Sequence, residues 1–113
     1  MENRWAQRQP TDCVVILESP QAGQIHTRAS NISLGGMFLV SDTQSPPVDS
    51  LVDLDFTLRN DDHAVHHRMP GQVVHVSRDG IGVMFCDFEP ETLRSMRKFL
   101  AGQPGSAVTG ARL

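Results

Sequence analysis

Leu51-Val-Asp-Leu-Asp-Phe-Thr-Leu58 alternates without a break: Val52, Leu54, Phe56 and Leu58 fall on one side, and Asp53, Asp55 and Thr57 share the other with Leu51. A period of two residues is that of a β-strand with one face in a core and one in water. Working outward, the same reading recurs. Cys13–Glu18 (CVVILE) is rich in β-branched residues and reads as a buried strand. Gln24–Ser30 alternates, with Ile25, Thr27 and Ala29 on one side and Gln24, His26, Arg28 and Ser30 on the other. Met37–Val40 is a short strand, His63–Val76 a strand interrupted or bent near Pro70 and Gly71, and Ile81–Phe88 the last strand. Gly82 within it suggests a bulge or a close backbone approach. Turn signals stand between these runs: Pro20–Gly23, Asn31–Gly36, Arg59–Asp62, and Arg78-Asp79-Gly80.

One helix is expected, over Pro90–Ala101. Pro90 suits the first helical position, Glu89 and Glu91 the positive N-terminal end, and Arg97 and Lys98 sit nearer the C-terminal end. Leu93, Met96, Phe99 and Leu100 make one apolar stripe. Short antiparallel strands followed by one helix predict an all-β (mainly β) domain, a small closed or nearly closed barrel with the helix over one end or face. Residues 1–12 read as a flexible polar arm, 13–101 as the barrel plus helix, and 102–113 as a disordered tail.

With 113 residues the chain makes one domain that needs no staple. The net charge of −3 lacks the basic excess of a protein that grips a long nucleic acid, so no DNA or RNA partner is expected. An anionic ligand must be held by a few placed cations. Cys13 and Cys86 lie far apart in apolar runs and read as reduced core thiols. The N-terminus has no apolar signal-peptide core, and no apolar run approaches the ~20 residues that cross a bilayer, so a cytoplasmic protein without membrane insertion is expected.

Two constellations carry chemistry. Arg4-Trp5-Ala6-Gln7-Arg8 puts two guanidinium forks about 13 Å apart on one side of an extended chain, and each fork fits a phosphate or the O6/N7 edge of a guanine. Alone, this pattern describes a solvated arm. Asn31-Ile32-Ser33-Leu34-Gly35-Gly36 offers an amide, a hydroxyl and two glycines, able to take positive φ and admit a flat base. Alone, it describes a capped structural turn.

Together and in this order, R-x-x-x-R, a hairpin, then N-x-S-x-x-G and an apolar strand resemble the PilZ family, bacterial receptors for the second messenger cyclic di-GMP. Gly71-Gln72-Val73-Val74, Gly82-Val83-Met84-Phe85 and the C-terminal helix continue the resemblance from Arg4 to about Ala101. It implies a six-stranded antiparallel barrel that binds cyclic di-GMP, with no cofactor and no catalysis. Arg4 and Arg8 would hold phosphates and guanine edges, Asn31 and Ser33 would bond a guanine, and Gly36 would keep the turn open. Trp5, Gly35 and His75 are secondary candidates: Trp5 anchors the arm or stacks on a base, and His75 falls near a position where relatives place an aromatic. Asn31 stands where many relatives have aspartate, which the motif allows. Asn3 stands where relatives that take a stacked ligand pair often carry arginine, so one or two ligands are left open. An effector protein must receive the signal. The rival reading is a PilZ-like interaction module that binds no nucleotide.

Other candidates read blandly. His63, His66 and His67 cluster, but neighbours on a strand face opposite sides and no familiar zinc spacing is completed, so a solvated polar strand is expected. Ser33 has no evident His–Asp partners, and Asp53 and Asp55 read as solubility charges.

Overall fold

The structure is a computed structural model that describes residues 9–41, 45–60, 63–87 and 89–101. Its elements are β1 (Gln9–Pro10), β2 (Val14–Ser19), β3 (Gly23–Ile32), β4 (Gly36–Val40), β5 (Leu51–Asn60), β6 (His63–Val76), β7 (Gly80–Phe85) and α1 (Pro90–Ala101). Each pairing is antiparallel, and the order β3-β2-β5-β6-β7-β4 closes on itself because β4 also pairs with β3. The result is the expected six-stranded barrel, with the two-residue β1 laid against β3 beyond the start of β2. Of the expected turn Arg59–Asp62, Arg59 and Asn60 instead continue β5, paired with Ala64 and His63, while residues 61–62 and the expected tail over 102–113 lie outside the described residues.

The alternation of Leu51–Leu58 is realised as read: Val52, Leu54, Phe56 and Leu58 point inward and are buried. Val15 and Leu17 face them from β2, Met37 and Leu39 from β4, and Ile81, Val83 and Phe85 from β7. Each such side chain contributes about 2 kcal/mol by leaving water. Phe56 stacks on Phe85 at 6.0 Å between centroids. Met96 and Phe99, from the stripe of α1, join this core.

β6 differs from its expected form, for it runs through Pro70 without interruption. The proline carbonyl accepts the Cys86 amide at 2.9 Å, just beyond the end of β7, so only one donor is lost at the margin of that ladder. Chain fixed by pairing also begins earlier than residue 13, since Gln9 and Pro10 sit opposite Ile32 and Asn31.

His67 departs from the solvated-strand expectation. It is buried, lies 5.5 Å from the Phe56 ring, and its Nε2 is 3.1 Å from Ser95 Oγ on α1. His66 points outward, bonded to Asp55. Burial holds His67 below the usual histidine range, with the neighbouring His66 charge adding to the effect. The unfolded chain therefore binds this proton more readily, and stability falls as pH drops below about 6.5. We predict that the urea midpoint decreases between pH 7.5 and 5.5 and that His67→Gln flattens this dependence; an unchanged slope would contradict the docking role.

Across the outer face, Arg68 lies 2.7 Å from Glu18, 3.3 Å from Asp55 and 3.9 Å from Asp53. The hydrogen bond and charge of Arg68 hold Glu18 below the usual carboxylate range; for Asp55 the His66 bond is the larger cause. Cys13 and Cys86 are free and half-buried. Burial pushes the Cys13 thiol up to about 11. We predict that iodoacetamide modifies Cys13 at pH 7.5 about a hundredfold more slowly than an ordinary thiol; modification at the ordinary rate would show that this wall opens.

Candidate ligand site

The polar turn after β3 lies beside the end of β7. Ser33 holds it together. Its Oγ accepts the amides of Gly35 at 3.1 Å and Gly36 at 3.3 Å, and its own amide donates to the Gly36 carbonyl at 2.8 Å. The side chain is 1% exposed. In this arrangement the hydroxyl is spent on the turn itself, which is the capping role that local chemistry favours. Replacing it with alanine would strand two amide donors, at about 1–3 kcal/mol.

Gly36 is required for a reason other than the expected one. Gly23 is the described glycine with positive φ. At Gly36 a Cβ would overlap the Val83 carbonyl oxygen, because β4 and β7 meet there backbone to backbone. The Gly35 carbonyl accepts the Phe85 amide at 2.8 Å, tying the turn to the same strand.

Two bulges aim the other candidates. The register of β3 against β4 shifts between Ala29 and Asn31, so Ala29 stays in the core while Asn31 pairs with Phe38 on the outer face. On β6 the register shifts between Val73 and His75. Simple alternation would send His75 inward after buried Val73; the extra residue, Val74, instead leaves His75 exposed opposite Gly82. Bulges of this kind re-aim side chains at functional sites.

The pairings then join into one transverse row on the outer face: Pro10 opposite Asn31, Asn31 opposite Phe38, Phe38 opposite Gly82, Gly82 opposite His75. Neighbouring strands are about 4.8 Å apart, so the row spans the footprint of a small ligand. Phe38 is half-buried and lies against Gly80, where a Cβ would meet its ring at 2.8 Å. An amide, two aromatic rings and a glycine floor suit a planar heterocycle with hydrogen-bonding edges.

Phe38 and Pro10 belong to this surface but were not singled out from the sequence. Alternation in Met37–Val40 did carry the signal for Phe38, because buried Met37 and Leu39 oblige Phe38 to face out. Arg4, Trp5 and Arg8 lie outside the described residues. Among the described residues no group of histidine, cysteine and carboxylate side chains could hold a metal ion, and no helix is long and apolar enough to cross a membrane.

A closed six-stranded antiparallel barrel with one C-terminal helix defines a class of small β-barrel domains. The PilZ domain model matches residues 2–102, and the chain belongs to the PilZ family, a family of binding and regulatory modules known for cyclic di-GMP receptors. Solved structures agree on the fold. The Bacillus subtilis inhibitor of motility (MotI/DgrA) superposes with a TM-score of 0.76 at 17% identity, over 88% of this chain and 50% of the other. The PilZ domain of CeSA from a cellulose-synthesizing bacterium superposes with a TM-score of 0.65 at 10% identity, over 82% of this chain and 93% of that one. The chain thus spans half the length of the motility inhibitor. No curated protein sequence matches it.

Proposed function

We propose that this chain is a non-enzymatic receptor for cyclic di-GMP. One observation carries the reading: β1 pairs Gln9 and Pro10 with Ile32 and Asn31. Arg8 is the residue immediately before Gln9 in sequence, and Pro10 pairs with Asn31, which supports reading the two halves of the motif as one surface.

The ligand's chemistry fits that surface. Cyclic di-GMP presents two phosphates and two guanines. Arg8 and Arg4 supply forks for phosphate oxygens or for the O6/N7 edge. The amide of Asn31 complements the remaining guanine edge, and Phe38 and His75 offer faces for a base. Ser33 contributes by holding the turn, and Gly36 by letting β4 meet β7. The net charge of −3 makes these two arginines decisive, since no general positive field draws the ligand in. Closing the leader over a ligand costs conformational entropy, which the charge-assisted bonds must exceed. The altered surface passes the signal to an effector protein in the cytoplasm.

Trp5, between the two arginines, reports on this directly. Adding cyclic di-GMP to the full chain is expected to give a saturable change in its fluorescence, with matching heat by calorimetry and neither signal from GMP. Absence of heat at micromolar protein with excess cyclic di-GMP would sink the receptor reading and leave an interaction module without nucleotide.

A further inference from the structure

β5 pairs with β6 along its whole length, from Leu51 to Asn60, but with β2 only from Asp53 to Phe56. Continued in register, the β2–β5 ladder would set Val14 opposite Thr57 and Cys13 opposite Leu58. The chain does otherwise. Val14 pairs with Arg28, the Cys13 carbonyl accepts the Ala29 amide at 2.9 Å, and the Thr11 amide donates to the Ser30 carbonyl at 3.0 Å. The leader follows β3 and splays away from β5. Between them lies a cleft of about 730 Å³, walled by residues 10–14 on one side and by Asp55, Phe56, Thr57 and Arg59 on the other, with Phe99 of α1 also lining it.

Among the described residues no strand pairs with β5 beyond Phe56 on this side. Such an edge presents alternating N–H and C=O groups, and an extended peptide satisfies them by adding as a strand. Apolar surface waits beside it: Val14 is 67% exposed, while Phe56 and Phe99, though buried in the core, line the floor of the cleft. The charges are not balanced. Asp12 is paired with Arg28 at 3.3 Å, and Asp55 with His66 and Arg68, whereas among the described residues Arg59 makes no ion pair.

We propose that this cleft is the output site, where an extended segment of a partner protein adds to β5, with an apolar side chain toward Phe99 and an acidic one on Arg59. The leader is its movable wall. One flank of Gln9–Val14 is bonded to β3 beside Asn31, and the other flank lines the cleft. A ligand gripping Arg8 and Asn31 pulls on that one segment and so sets the width of the cleft. The coupling to ligand rests on the receptor reading; the docking of a strand does not.

The test selects phage-displayed random dodecapeptides on the full chain, then measures the selected peptides by fluorescence anisotropy and by amide hydrogen exchange. Selected sequences are expected to alternate apolar β-formers and to carry Asp or Glu, and to protect amides within Thr57–Asn60. Arg59→Glu should weaken them about tenfold, and reselection on that variant should yield basic peptides. Failure to select such peptides, protection elsewhere, or indifference to Arg59→Glu overturns the docking proposal. If the edge is already protected and loses its protection when the chain ends at Ala101, residues 102–113 are the occupant, which overturns the partner assignment. With docking established, bound cyclic di-GMP should change peptide affinity at least about threefold; an unchanged affinity overturns the coupling, while absence of cyclic di-GMP binding removes the receptor reading and leaves the docking result standing.

Discussion

Gly36→Ala is expected to lower stability by about 3 kcal/mol or more, seen as a fall of more than about 1 M in the urea midpoint. The added carbon would overlap the Val83 carbonyl oxygen and would stand 3.1 Å from Met84 Cα. Both neighbours are backbone, so no rotamer change relieves the collision. β4 and β7 would have to part at Gly36–Met84, next to the Phe85–Gly35 bond, and this is one of the seams that close the barrel. Gly82→Ala is the control. Its nearest contact would be the His75 Cβ at 3.3 Å, a side-chain atom on a bulged strand, and it should cost under about 1 kcal/mol. Equal effects at the two positions would show that the β4–β7 approach is looser than described.

The second large effect falls on binding. Arg8→Ala should weaken cyclic di-GMP by more than about a hundredfold, because a bidentate contact loses two charge-assisted bonds of about 1.5–3 kcal/mol each. Arg8→Lys should recover only part of that, since an ammonium keeps the charge and loses the fork. Neither change should alter stability by more than about 0.5 kcal/mol, the usual range for a surface substitution. Calorimetry of the three proteins decides it: an affinity unaltered by Arg8→Ala removes Arg8 from the site.

Much of the barrel was legible because periodicity reports burial directly. Leu51–Leu58 and the stripe Leu93, Met96, Phe99 and Leu100 each announced which side faces the core, and the tight turn at Asp79-Gly80 announced a hairpin. What escaped depends on contacts between segments distant in sequence. The continuity of β6 through Pro70 depends on β7 ending at Phe85, and the inward turn of His67 on Phe56 and Ser95. β1 is two residues of a polar segment and exists only because β3 offers an edge. The bulges at Ser30 and Val74 insert one residue each, and neither leaves a compositional mark. Yet they decide which face Asn31 and His75 take. The candidate motif was therefore readable as residue types in order. Its geometry was not, nor the division of labour within it, in which Ser33 and Gly36 build the turn.

If the leader and the glycine turn form one binding surface, a ligand perturbs both together. An amide-correlation NMR titration of the full chain with cyclic di-GMP tests it most directly. Saturable shifts are expected at Gln9, Asn31, Ile32, Gly35 and Gly36, with smaller ones at Phe38, His75 and Gly82, and none around Glu18 and Arg68. Shifts confined to the surroundings of Glu18 and Arg68, or an unchanged spectrum at saturating ligand, would contradict a shared surface.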